Sequence, residues 1–184
     1  MGYCRLITAD KEYKKHLKKK YGKMNYSNKS SIYNLIKYVL TDKRTGDLVR
    51  YGAAQGTVFR DVCEAVYEMK LVKSYYGKED KVQIYHFILS FGEIKDPFKV
   101  LEIGKEIMNK FFYGYQVVFG VHEDTDHLHI HFAVNSVSML TGMKWHMNRK
   151  EFREFVEKIE RMADEYFDIW DGQYYQAVAM EDLL

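Results

Sequence analysis

Apolar and polar positions alternate without a break from residue 127 onward: His127, His129 and His131 fall against Leu128, Ile130 and Phe132. A period of two is that of a β-strand, whose successive side chains point to opposite faces. One face then carries three imidazoles followed by Ala133 and Asn135, and the other carries Leu128, Ile130, Phe132 and Val134. A strand that is apolar beneath and lined with imidazole above is a poor structural element and a good platform for a ligand.

The same patterns predict the other elements. Residues 3–9 read as a first strand and 11–23 as a lysine-rich surface helix or mobile segment. From 28 to 40, Ile32, Leu35, Ile36, Val39 and Leu40 recur at helical spacing, behind Asn28 or Ser30 as cap. At 100° per residue Tyr38 lies roughly opposite that stripe, so it is not a core tyrosine of its helix. A turn at 41–46, a short strand at 48–53 and a helix over 57–71 follow. Residues 82–91 form a strand rich in β-formers. Asp96 and Pro97 open a helix to about Phe112, and residues 116–121 form a strand running into a tight connection at 123–126. Thr141 and Gly142 make a turn, and Asn148 with Glu151 reads as a capping box for a helix to about Phe167. The last segment has no assignable pattern. Strands interleaved with helices around a hairpin predict an α+β fold, a central antiparallel β-sheet with helices packed on one face. The other face is left for the imidazoles.

Composition narrows the class. With 184 residues, 47% of them hydrophobic and 29% charged, the chain suits one domain with a core of its own over 1–184. Its apolar runs are too short to span a bilayer, and the start lacks a signal-peptide pattern. Two cysteines, Cys4 and Cys63, make no disulfide framework; a cytoplasmic protein is the expectation. Charge adds one asymmetry. Residues 1–50 hold 13 Lys and Arg against 4 Asp and Glu, and the lysines concentrate at about 10–27. A basic end suits a polyanion-facing surface, or a solvated lysine-rich arm.

The histidines carry the chemistry. His122 ends the strand before the hairpin, and the connection from Glu123 to Asp126 returns the chain beside it. His122, His129 and His131 are then placed to converge on one cation. Three protein nitrogens leave open positions for a phosphate oxygen, which is what a catalytic metal needs. Imidazole suits borderline divalent ions such as Mn²⁺. Metal-bound histidines usually donate their second N–H to a carboxylate, and Asp124 and Asp126 are the local candidates. His127 is assigned a neighbouring role, in hydrogen bonding or DNA contact.

The spacing of His122, Asp124, His127, His129, His131 and Asn135 resembles the third motif of the conjugative relaxases, the mobilisation nucleases of the MobP type within the histidine–hydrophobic–histidine (HUH) endonucleases. Residues 35–42, Leu-Ile-Lys-Tyr-Val-Leu-Thr-Asp, are similar to their first motif. Residues 86–91, the helix around Glu102 and residues 141–146 are also family-like, so the resemblance covers about 30–150. It implies Tyr38 as nucleophile, with Tyr33 as its rival on the same helix. It further implies His122, His129 and His131 as ligands of Mn²⁺ or Mg²⁺, and Asp126 as the carboxylate behind them. The activity implied is strand-specific nicking and rejoining of DNA at an origin of transfer through a 5′-phosphotyrosine. Single-stranded DNA, a relaxosome accessory protein and a type IV coupling protein are the implied partners. Relatives place the tyrosine nearer the N-terminus and are mostly longer.

That chemistry agrees with the residues. A tyrosine hydroxyl with a pKa near ~10 is a poor nucleophile at neutral pH, and a cation on the scissile phosphate offsets that by stabilising developing charge. For strand binding, His127, Asn135, Lys144, Trp145, His146 and Arg149 are the candidates, with Trp145 as a stacking surface. A rolling-circle replication initiator shares the chemistry. Residues 127–133 also fit the histidine-triad nucleotide hydrolases and transferases, in which the middle histidine attacks phosphate without a metal; that reading leaves His122 and Tyr38 without a role. A catalytically inactive DNA-binding domain is the third class.

Overall fold

The computed structural model describes residues 26–28, 30–92, 94–170 and 176–179. The strand expected at 3–9 and the lysine-rich segment lie outside them, save for residues 26 and 27 at its edge. Helix α1 (Ser31–Leu40) leads to strand β1 (Gly52–Gln55), helix α2 (Val62–Tyr75) and strand β2 (Ile84–Phe91). Helix α3 (Pro97–Phe111), strands β3 (Tyr115–His122) and β4 (Leu128–Ser138), helix α4 (Arg149–Trp170) and strand β5 (Gln176–Ala179) follow. The strands form one antiparallel sheet in the order β1-β3-β4-β2-β5, and the class is α+β. Strand β5 is the piece for which no sequence pattern gave an assignment. It pairs with the outer side of β2.

Local chemistry explains the boundaries. Asp96 accepts from the N–H of Phe98 with Pro97 at the first helical position, which starts α3. Asn148 accepts from Glu151 N–H while the Glu151 carboxylate accepts from Asn148 N–H, a reciprocal capping box that starts α4. Helix α2 begins later than its apolar spacing suggests, because the Asp61 side chain caps it by accepting from Glu64 N–H.

The two faces of the sheet are filled by different helices. Phe87, Leu89, Phe119, Val121, Leu128, Ile130, Phe132 and Val134 point one way, against Ile103 and Ile107 of α3 and Phe152, Phe155 and Ile159 of α4. Each such side chain, fully buried, contributes about 1.5–3 kcal/mol. The histidine face was expected to be open. Instead Ile84, Val118 and Ala133 on that face pack against Ile32, Leu35, Ile36, Val39 and Leu40 of α1 and Ala65, Val66 and Met69 of α2. The imidazoles therefore sit at the edge of a second, smaller core, roofed by α1.

Candidate metal centre and its tyrosine

Register brings the ligand candidates together. His122 of β3 is the Cα partner of His129 in β4, and Gly120 is the partner of His131. Partners across a sheet share a face, so the three imidazoles stack on one side, with ring centroids 4.6, 4.8 and 5.5 Å apart. One nitrogen of each ring is held by the protein. His122 Nε2 donates to the carbonyl of Val39 at 2.9 Å, His129 Nδ1 to the carbonyl of His127 at 3.1 Å, and His131 Nδ1 meets His86 Nε2 at 2.9 Å. His86 Nδ1 in turn faces the Tyr26 hydroxyl at 3.4 Å.

The nitrogens left over are His122 Nδ1, His129 Nε2 and His131 Nε2, and one ligand atom from each ring lies within 4.8 Å of the others. His122 Nδ1 and His131 Nε2 are buried without a hydrogen-bond partner. An unmet buried polar group costs about 1–3 kcal/mol, and a divalent cation removes that cost twice over. An ion bound at ~2.1 Å from each nitrogen would need the ligand atoms closer together than the full span, a small inward shift of the rings. The donor set fits a metal.

Electrostatics favour the ligating form. Desolvation, then the charges of His129 and Lys43, pull His122 down to about 4 against the opposing Val39 hydrogen bond and Asp124. Desolvation also lowers His129, and His131 well below the ordinary range. The three rings are neutral at pH 7, as metal binding requires. Asp124 Oδ1 stands 3.3 Å from His129 Nε2 and 3.9 Å from His122 Nδ1. The Asp124 carboxyl stays below its usual range although burial raises it, because Lys43 bonds to it. It faces the space between the nitrogens and offers a cation a negative charge.

Tyr38 hangs off the apolar stripe of α1, half-buried, over these rings: its centroid is 5.0 Å from that of His131, 5.8 Å from His86 and 5.9 Å from His122. Tyr33 is on the exposed side of the helix, with Lys37 over its ring. After α1 the chain turns back through residues 41–48, closed by Asp42 N–H on the Asp47 carbonyl and Val49 N–H on the Leu40 carbonyl, both 2.8 Å. That turn delivers Lys43. Its Nζ lies 3.0 Å from Asp124 Oδ2 and 4.8 Å from the Tyr38 ring centroid, and it hydrogen-bonds the Tyr38 side chain. Burial opposes its charge, but the bonds to Tyr38 and Asp124 raise it further and keep it an ammonium.

The remaining expectations fare differently. Asp126 is exposed, and what it offers is its backbone carbonyl, to Lys95 at 2.5 Å; the carboxylate that meets the histidines is Asp124. His127 is exposed and bonded through Nδ1 to the Gly92 carbonyl at 2.7 Å, a hydrogen-bonding role outside the cluster. Asn135 is fully buried and bonded to Met69, Gln116 and Lys73, so it is closed to DNA. Lys144 is tied to the backbone of Asp80 and Val82 and to the Asp80 carboxylate at 3.3 Å. Trp145 is packed among Tyr85, Phe112 and Tyr115 on the opposite face of the sheet, not offered for stacking. His146 and Arg149 are exposed, but they follow the far end of β4. His131 and Ser138 are seven residue steps apart on β4, about 23 Å of strand. His86 and Lys43 were missed as site residues. The signal for His86 was its parity with Ile84 and Ile88; for Lys43 it was position five residues after Tyr38.

A family model described as "Relaxase: MobA/VirD2-like, nuclease domain" matches residues 33–167. Two Staphylococcus aureus proteins called "Protein rlx" are 38% and 41% identical over 100 residues, 53% of this chain and 31% of each relative. The matched stretch is thus about a third of the length of these curated relatives. A solved structure described as "Molecular Basis of Vancomycin Resistance Transfer in Staphylococcus aureus" is similar with a TM-score of 0.58 at 11% identity, covering 86% of this chain and 96% of that one.

Proposed function

Because the chain belongs to the MobA/VirD2-like relaxases, whose nuclease-domain model spans residues 33–167, we propose that it nicks and rejoins one DNA strand at an origin of transfer, with Tyr38 as nucleophile. The observation that carries this reading is the Tyr38 ring 5.0 Å from the ring of His131, one of three imidazoles with an uncommitted nitrogen. His122, His129 and His131 would hold a divalent metal there, which when bound would supply Lewis-acid stabilisation of charge on the scissile phosphate.

The rest is the chain's own work. Tyr38 oxygen attacks phosphorus, its O–P bond forms as the P–O3′ bond breaks, and its proton passes to solvent while the 3′ oxygen takes one up. Lys43 holds the Tyr38 oxygen by a hydrogen bond and offsets charge on it when the reaction runs backward and the phenolate leaves. Asp124 aims Lys43. His86 fixes His131 with Nε2 toward the metal position, and the Val39 carbonyl does the same for His122 Nδ1. The product is a 5′-phosphotyrosine that keeps the phosphodiester energy, so religation needs no external energy source.

The test is mass spectrometry of the adduct trapped on an origin-of-transfer single strand with Mn²⁺. The expected result is one oligonucleotide 5′ end on the peptide containing Tyr38. An adduct on another residue, or a nick without any adduct, overturns the assignment.

A further inference from the structure

On the histidine face, beside the metal centre, lies a cleft lined by Leu48, Val49, Arg50, Phe59 and Arg60. Two glycines place it. Gly52 of β1 is the Cα partner of Gly120 in β3, and Gly120 is the partner of His131 in β4, one row running across the sheet from its edge to a ligand histidine. A Cβ on Gly52 would stand 2.5 Å from the Phe59 ring, and one on Gly120 would stand 2.9 Å from Val49 Cγ2. Phe59 and Val49 thus occupy the space two side chains would have filled, over the bare end of that row. With strands about 4.8 Å apart, Gly52 lies about 10 Å from His131.

The charge at this cleft is uncommitted. Arg50 and Arg60 are both exposed, and among the described residues neither has a hydrogen-bond or ion-pair partner. Arg44, in the turn just before them, contrasts with both: it is paired with Asp42 at 3.2 Å and Glu123 at 3.6 Å. Guanidinium groups recognise phosphate through paired N–H donors, and an aromatic ring takes a base face in a sequence-tolerant way. A free base can reach the ring only from an unstacked strand.

We propose that this cleft is a nucleotide subsite for single-stranded DNA, in which Arg50 and Arg60 hold backbone phosphates and Phe59 takes the base. The nucleotide is a neighbour of the one whose phosphate meets the histidines. The subsite rests on the relaxase reading, and it extends the DNA path toward the β1 edge, away from Lys144, Trp145 and Arg149.

The test measures binding of a fluorescein-labelled single strand of mixed sequence to the full chain by anisotropy across a salt series, with a duplex of the same sequence in parallel. Arg50→Ala/Arg60→Ala is expected to weaken single-strand binding 10- to 100-fold and to make the log–log salt slope shallower by about 1.4, two phosphates' worth. Phe59→Leu is expected to lose several-fold in affinity for the single strand only, at unchanged slope, and Phe59→Tyr to retain it. Mn²⁺ affinity unchanged in all three variants shows that the fold is intact. Wild-type affinity and slope in the double arginine variant overturn the subsite alone, as does a Phe59→Leu loss equal for duplex and single strand. A wild-type chain that binds neither probe overturns the relaxase reading, and the subsite with it.

Discussion

The carbonyl oxygen of Val39 lies 2.9 Å from Nε2 of His122, so the residue after the tyrosine holds one imidazole of the candidate metal centre in orientation. The contact depends on a bare position in the sheet: a Cβ on Gly120 would come within 2.3 Å of that same oxygen. Helix α1 ends against β3 because nothing projects there. Gly120→Ala is expected to lift the end of α1, costing about 1–3 kcal/mol by overpacking. Nicking should fall at least tenfold while strand affinity holds. Rates and Mn²⁺ affinity equal to wild type in single-turnover assays would show that the tyrosine and the metal centre are not mechanically joined.

Removing two ligands separates binding from chemistry. His129→Ala/His131→Ala is expected to lose Mn²⁺ binding by calorimetry, roughly 100-fold or more, and nicking with it. Tyr38→Phe should bind Mn²⁺ and strand like wild type and form no adduct. Undiminished metal binding in the double variant would remove the metal centre as described.

Acid should unfold the metal-free protein early. His86 is lowered to about 3 by desolvation first and then by His122 and Lys43, and His122 to about 4, both below the ~6.5 of an unfolded imidazole. The unfolded chain then binds more protons between those values. Stability is fully present above about pH 6.5 and falls as pH drops toward 4 and 3. Melting temperature against pH is the measurement: a steep decline below pH 6.5 is expected, flattened in His86→Ala, together with loss of any Mn²⁺-induced rise. A flat profile down to pH 4 would mean the imidazoles are not buried neutral.

Lys43 should matter to rate more than to affinity. With its ammonium on both Tyr38 and Asp124, Lys43→Ala is expected to cost about 10²-fold in single-turnover nicking, in the range of other charge-stabilising donors. Lys43→Arg should recover part of it. A KM rise at unchanged kcat would instead make Lys43 a phosphate anchor.

Lys73 tests the second core. It is 1% exposed, bonded to Asn135 and, at 2.8 Å, to Ser136, and pushed down to about 7 by desolvation and then by Lys144. An unfolded lysine keeps its proton to about 10.4, so the unfolded chain binds more protons between pH 7 and 10, and stability should rise across that window. The gap between wild type and Lys73→Met in denaturant melts should therefore shift in favour of wild type from pH 7 to 9. A pH-independent gap would mean that Lys73 stays charged.

Much of the site was legible because strand periodicity is strict. Alternation alone placed His129 and His131 on one face, hairpin length brought His122 beside them, and helical spacing turned Tyr38 away from Ile36 and Val39. What was not legible depends on contacts between distant segments. Lys43 sits in a turn with no period, and only the closure of residues 41–48 aims it at Asp124. The choice between Asp124 and Asp126 depends on how the connection curls. Trp145 is aromatic in any reading, and only the packing of α4 shows it inside the larger core. The cover over the histidine face was hidden too, because α1 and α2 have apolar stripes that do not say which face of the sheet they meet.

The bond from Val39 to His122 also has a bearing on when activity can exist. Its partners are 83 residues apart in the chain, and closing a loop of that length is entropically costly and comes late relative to local helix formation. Tyr38 and Lys43 leave the ribosome long before the hairpin of β3 and β4. Until that hairpin has formed and α1 has docked on it, Tyr38 has no histidine cluster beside it. On the proposed mechanism, a molecule in which α1 has not docked on that hairpin is not expected to cut DNA, and cleavage competence would report that docking.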